Sequence, residues 1–248
     1  MSIRPSGRPS GRSSGRPSGR PARRYLAVVT AVAALTLSGC GQAGPGVAAK
    51  VGDQTVSVSD VDRLTDGYCK ALEEQIVAQN QIVPMRLVRT FVAGSLTLQA
   101  AAEQFAADNG IKQPDGYSDQ VKQNETTAEG LPAAHRDDFV EVGSARAYVT
   151  ALEQQVGGQL LLDEGKPSAT DDQKINRGRE ALVVWLGEHS VDVNPRYGFE
   201  IKDGNIVDVT NDTSYALSAN AVAAGKFNSD EGPDQTYSAT LPASQRCG

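Results

Sequence analysis

The amino-acid sequence predicts a mostly helical α+β domain, a body of about four helices with a small antiparallel sheet formed by hairpins from its two ends. Three observations carry that expectation. Apolar residues recur at spacings of three and four through four stretches of the chain. Short alternating segments centred on Gly52-Asp53 and Asp203-Gly204 stand at the two ends of the same region. The strand-like segments stay at those ends instead of alternating with the helical ones, which argues against a two-lobed α/β solute-binding architecture.

Val47, Ala49 and Val51, then Gly52-Asp53, then Val56 and Val58 read as the first hairpin. Ser59 is the expected N-cap of the first helix, with Asp62 completing a loose capping box. Val61, Leu64, Tyr68, Leu72 and Ile76 give that helix one apolar face over residues 60–79. Pro84 suits the first turn of a second, long helix with Leu87, Phe91, Leu98, Ala102 and Phe105 on one face, closed by Asn109-Gly110. Residues 111–133 are polar and Pro/Gly-containing, a connector with at most a short helix near Ser118 to Thr127. Phe139, Val142, Val149, Leu152 and Val156 signal a third helix, weakened at Gly157-Gly158 because glycine disfavours helix interiors. Ile175, Leu182, Val183 and Leu186 mark a fourth, ending near His189. Val191 and Val193 alternate, Pro195 breaks the run, and residues 197–201 and 205–209 flank Asp203-Gly204 as the closing hairpin. Two isolated hairpins are marginal alone, so the economical solution pairs the strand after Pro195 with the first hairpin. Residues 210–248 hold sparse apolar residues and read as a flexible tail ending in Cys247-Gly248.

The folded region is thus 47–209, and what precedes it is an address. Arg4, Arg8, Arg12, Arg16 and Arg20 recur with a period of four in an Arg-Pro-Ser-Gly leader whose composition predicts disorder. Arg23-Arg24 and thirteen uncharged residues, Tyr25 to Leu37, then lead to Leu37-Ser38-Gly39-Cys40. Positive, apolar and small-residue regions in that order make a signal peptide over 1–39. Thirteen residues rise about 20 Å as a helix, short of the ~30 Å hydrocarbon core, so a permanent span is disfavoured. The segment resembles the lipobox of bacterial lipoproteins, which implies that Cys40 carries a lipid, that residues 40–46 are a tether, and that the domain sits on the extracytoplasmic face of the cell membrane. The Arg pair leaves the general secretory and twin-arginine routes both open.

The formal charge of -6 is an average over two unlike parts. Setting aside the seven Arg of residues 1–24 leaves 17 Lys and Arg against 30 Asp and Glu, a net -13. So acidic a body repels phosphate backbones and argues against a nucleic-acid partner. Three Cys are too few for a disulfide scaffold or a four-ligand zinc site. With Cys40 lipidated, Cys69 and Cys247 are a candidate disulfide that would tie the tail to the first helix; the alternative is a buried Cys69 and a free Cys247. His135 and His189 read as a surface residue and a helix C-terminal cap, with no metal expected at either. Asp137-Asp138 and Asp171-Asp172 fit the positive ends of helix dipoles. Tyr68 and Trp185 at helical spacing read as core. Gly94-Ser95 and Gly143-Ser144 lack the frame of a nucleophile elbow, and no phosphate-binding glycine loop is present, so neither enzyme chemistry nor a cofactor is expected.

Two passages, Ala48 to Asp62 and Val193-Asn194-Pro195-Arg196-Tyr197-Gly198-Phe199, resemble the opening hairpin and closing strand of SurA- and PrsA-type extracytoplasmic chaperones and foldases. Val51, Asp60, Pro195, Arg196, Tyr197 and Gly198 carry the likeness and would be structural residues. In that family the two passages share one sheet beside the helices. Full foldases insert a parvulin isomerase domain of about 90 residues between them, a common domain size. Only 84 residues, Ile111 to Asn194, are available here, and helices occupy much of them. The resemblance therefore implies a chaperone core without isomerase activity, binding unfolded or nascent secreted proteins without catalysis. A scaffold or assembly lipoprotein that binds one specific envelope protein is the alternative, and a solute-binding lipoprotein is a weaker one.

Overall fold

The computed structural model describes residues 44–209, 218, 221, 222, 224, 227, 228 and 232–248. The leader, Cys40 and the first tether residues lie outside the described residues.

Strand β1 (Val47–Val51) turns through Gly52, whose φ of 52° suits glycine, into β2 (Gln54–Ser57). Helix α1 (Val58–Ala78) follows with no linker. Its cap is Ser57 rather than Ser59: the last strand residue keeps extended backbone, and its Oγ accepts the Asp60 amide at 3.0 Å. The strand-to-helix transition thus comes two residues earlier than the hydrophobic pattern implies, and Asp60 occupies the third helical position. A two-residue strand β3 (Val83–Pro84) leads into α2 (Met85–Asp108). The polar connector holds α3 (Tyr117–Ala128), and then come α4 (Arg136–Asp163) and α5 (Asp171–Glu188). Helices α1, α2 and α4 end alike. Asn80, Gly110 and Gly165 take positive φ, and the next amide reaches back five residues, satisfying carbonyls that a helix end leaves free.

Helix α4 runs unbroken through Gly157-Gly158, where the sequence suggests weakening. The reason is tertiary. A Cβ on Gly157 would lie 1.8 Å from the Lys174 carbonyl, and one on Gly178 of α5 would lie 1.8 Å from the Glu153 carbonyl. The two helices cross backbone to backbone at this pair of glycines, and the burial gained there outweighs the helical propensity lost.

Strand β4 (Val191–Val193) lies antiparallel on β1, with Ala49 opposite Val193 and Val51 opposite Val191, giving a three-stranded sheet in the order β2-β1-β4. Asn194 extends the join, its amide donating to the Ala48 carbonyl at 2.9 Å. The two ends of the helical region therefore do meet in one antiparallel sheet. The strand that joins it precedes Pro195, however. Pro195–Tyr197 form a 3-10 turn, and β5 (Phe199–Lys202) and β6 (Asn205–Asp208) make a separate hairpin. Proline has no amide to donate and its fixed φ ends the ladder, which is why the expected pairing after Pro195 does not form. Asp203 and Gly204 both take positive φ, the turn chemistry that Asp-Gly favours.

One core unites these elements, with Val51, Leu64, Val92, Val142, Leu152 and Leu182 fully buried. The tail also departs from expectation. Most of residues 210–231 lie outside the described residues, although β7 (Phe227–Asn228) is seen paired with β8 (Gly232–Pro233). Helix α6 (Gln235–Thr240) and β9 (Arg246–Cys247) then pack on the body. β9 pairs with β3, the Gln235 side chain accepts the Ile82 amide at 2.8 Å, and Cys247 is disulfide-bonded to Cys69 of α1 across 178 residues. The candidate Cys69–Cys247 pair is thus bonded and ties the tail to α1, as that reading expects; what sparse apolar content does not disclose is the main-chain pairing of β9 with β3.

Candidate functional site

The sequence-predicted residues fall into two groups. Val51 is buried in β1, Tyr197 is buried beneath the 3-10 turn, and Gly198 takes a φ of 65°. Asp62 joins the two motif-bearing passages, its carboxylate lying 3.5 Å from Arg196 and 3.4 Å from Arg89 of α2. Half-exposed pairs of this kind contribute about 0–1 kcal/mol each, so the cluster orients more than it stabilises. Pro195, Arg196, Tyr197 and Gly198 thus turn the chain from the sheet into the β5–β6 hairpin. The histidines stand at helix ends, His135 at the start of α4 and His189 at the end of α5. His189 caps α5 through the Trp185 carbonyl at 2.7 Å and stacks on the Trp185 ring, while His135 lies 3.9 Å from Asp138. Among the described residues no group of His, Cys, Asp and Glu could hold a metal.

What the fold assembles, and the sequence does not announce, is a groove of about 620 Å³ beside the β5–β6 hairpin. Its floor is α2, which presents half-buried Leu87, Phe91 and Leu98. One wall is α4, with Arg146, Val149 and Thr150; the other is β6. The hairpin is held in place by Gly94: a Cβ there would lie 2.4 Å from the Ile206 side chain, so the missing side chain is the seat into which Ile206 fits. Beyond Phe91 the apolar surface continues as an aromatic run, Tyr68 lying 5.6 Å from Phe91 and stacked on Phe139 at 5.7 Å. Burial pushes the Tyr68 hydroxyl pKa up, with Arg146 opposing. The Arg146 guanidinium lies over the Phe91 ring at 5.2 Å. A second depression, of about 780 Å³ beside the α4–α5 loop, is lined by no aromatic side chain and meets no strand.

At the end of the groove Arg179 of α5 donates to both carboxylate oxygens of Glu153, each at 3.1 Å. The Glu153 side chain is 3% exposed and that of Arg179 40%. Burial holds the Glu153 pKa above its usual value despite the Arg179 hydrogen bond and charge that lower it. The folded chain therefore takes up a proton at Glu153 before the unfolded chain does. This carboxyl adds stability as pH falls through its raised value, and subtracts it at higher pH. Arg179→Met is expected to cost about 2–3 kcal/mol at pH 8, less than for a fully buried pair, and part of the loss should return near pH 5. Urea unfolding at the two pH values checks this; Glu153→Leu added to Arg179→Met should restore most of the stability at both.

With groove, cap and ion pair in place, comparison of the chain with protein-family models, curated proteins and solved structures finds no match.

Proposed function

We propose that the chain is a membrane-anchored extracytoplasmic chaperone that holds unfolded secreted polypeptides without catalysis, and that the groove between α2, α4 and β6 is where it holds them. The groove carries this reading. It combines half-buried Leu87, Phe91 and Leu98 with a strand edge, a surface that accepts apolar segments of many sequences. The aromatic run from Phe139 through Tyr68 to Phe91 lengthens the apolar track beyond one short segment. Anchoring rests on the leader and on Cys40, and the Cys69–Cys247 bond fits an oxidising compartment. The likeness of the two end passages to SurA- and PrsA-type chaperones adds less, since only Val193 and Asn194 of the second passage join the β1 sheet. Among the described residues no helix is long and apolar enough to cross a membrane.

The mechanism needs neither nucleotide nor metal. Apolar segments seated in the groove are withheld from one another, and release follows when a client buries them in its own core. Residues 41–248 at a stoichiometric ratio are expected to suppress light scattering by a denatured secreted client. Undiminished scattering would overturn the reading, and capture of one envelope protein at fixed stoichiometry, with no effect on unfolded clients, would favour a dedicated assembly factor.

A further inference from the structure

The register of the β5–β6 hairpin decides which main-chain groups remain free. The Val209 amide donates to the Gly198 carbonyl at 2.9 Å, making those two a hydrogen-bonded pair. Such pairs alternate along an antiparallel ladder, so Glu200 with Val207 and Lys202 with Asn205 are the others. Ile206 and Asp208 must then direct their N–H and C=O groups away from β5. The groove is on that outer side, since it meets β6 from Asn205 to Asp208 and no residue of β5. Among the described residues, no other strand pairs with β6. Opposite this edge stands Arg146, an exposed residue whose guanidinium lies over Phe91, with no carboxylate of the described residues within ion-pair distance.

From these two features we infer that the occupant is an extended polypeptide segment that adds to β6 as a third strand and places a carboxylate on Arg146. The inference rests on the chaperone reading and specifies its recognition chemistry. An edge strand with unpaired groups is a template for strand addition, where main-chain bonds supply sequence-tolerant affinity and alternate side chains meet the floor. Four residues of β6 span about 13 Å at ~3.3 Å per residue, so the matching client segment is four to six residues long. Its inward side chains would rest on Phe91 and Leu98. A carboxylate at one end would meet the guanidinium that Phe91 holds in place, so apolar segments flanked by Asp or Glu should bind ahead of those flanked by Lys.

The probe is a fluorescein-labelled hexapeptide, Val-Thr-Ile-Thr-Val-Glu, titrated onto the full chain. Methylating the peptide amides that face β6 is expected to weaken binding about tenfold, the loss of roughly two main-chain hydrogen bonds, while methylating the intervening amides leaves it unchanged. Arg146→Glu should weaken this peptide by a similar factor and improve binding of the same peptide ending in Lys. In hydrogen exchange, the Ile206 and Asp208 amides should exchange quickly in the free chain and gain protection when peptide is added. Equal effects of both methylation sets, or protection of the two amides before peptide is added, would overturn strand addition. If aggregation is suppressed while the peptide chemistry fails in this way, the chaperone reading stands and only this inference falls; if neither suppression nor peptide binding is seen, both fall.

Discussion

Gly178→Ala should destabilise the chain by about 3 kcal/mol, the upper range for overpacking, because the added methyl group would meet the Glu153 backbone and not a side chain that can swing aside. Gly157→Ala should do the same from the other side, where the obstacle is the Lys174 carbonyl and the Gly178 amide. The control lies in the same helix. Gly187 has no atom within 4 Å of a Cβ position, so Gly187→Ala should gain about 0.5–1 kcal/mol through helical propensity alone. Urea unfolding of the three variants measures this directly. A stabilising Gly178→Ala would mean that α4 and α5 do not cross as described. The site shares the risk, because Glu153 stands one turn from Gly157 and pairs with Arg179 one residue beyond Gly178.

Replacing Cys69 and Cys247 by Ser should cost about 3–5 kcal/mol, since closing a loop of 178 residues removes much of the unfolded chain's freedom in the entropy model. The loss should be local as well as global. Without the bond, the main-chain hold on this segment is a two-residue ladder from β9 to β3 and the Gln235 contacts with Ile82, and a ladder that short is marginal. Amides of residues 235–247 should then exchange rapidly while those of α2 and α4 stay protected. Unchanged protection across 235–247 would show that the main-chain contacts hold the segment alone.

Local patterns and long-range contacts differ in how far the sequence discloses them. The periodicity of Val61, Leu64 and Tyr68, or of Val142, Val149 and Leu152, reflects burial of one helix face and is visible residue by residue. The Asn109-Gly110 stop is legible because its chemistry is local. Gly157 and Gly178 show in the sequence only as helix weakeners, since their partners lie on another helix. Pro195 marks the end of a ladder, but which strand joined that ladder before it depends on the path of the whole chain. The groove is the extreme case. Gly94, Phe91, Arg146 and Ile206 come from three separate elements, and each has an ordinary local explanation. Gly94-Ser95 carries no enzymatic signature, yet the glycine seats the strand that walls the site. A glycine on the buried face of a long helix was the one available signal, since it points to a close approach by something else.

The proposed holding of unfolded chains depends on the groove being open to them. Its most direct test is aggregation suppression by Thr150→Trp, which puts a large ring into the groove from an exposed position on α4, beside Val184→Asp, which changes an exposed residue outside it. Both variants should keep the unfolding midpoint of the parent chain. Thr150→Trp should lose most of the suppression and Val184→Asp should keep it. Full suppression by Thr150→Trp, or loss by Val184→Asp alone, would place client binding elsewhere on the molecule.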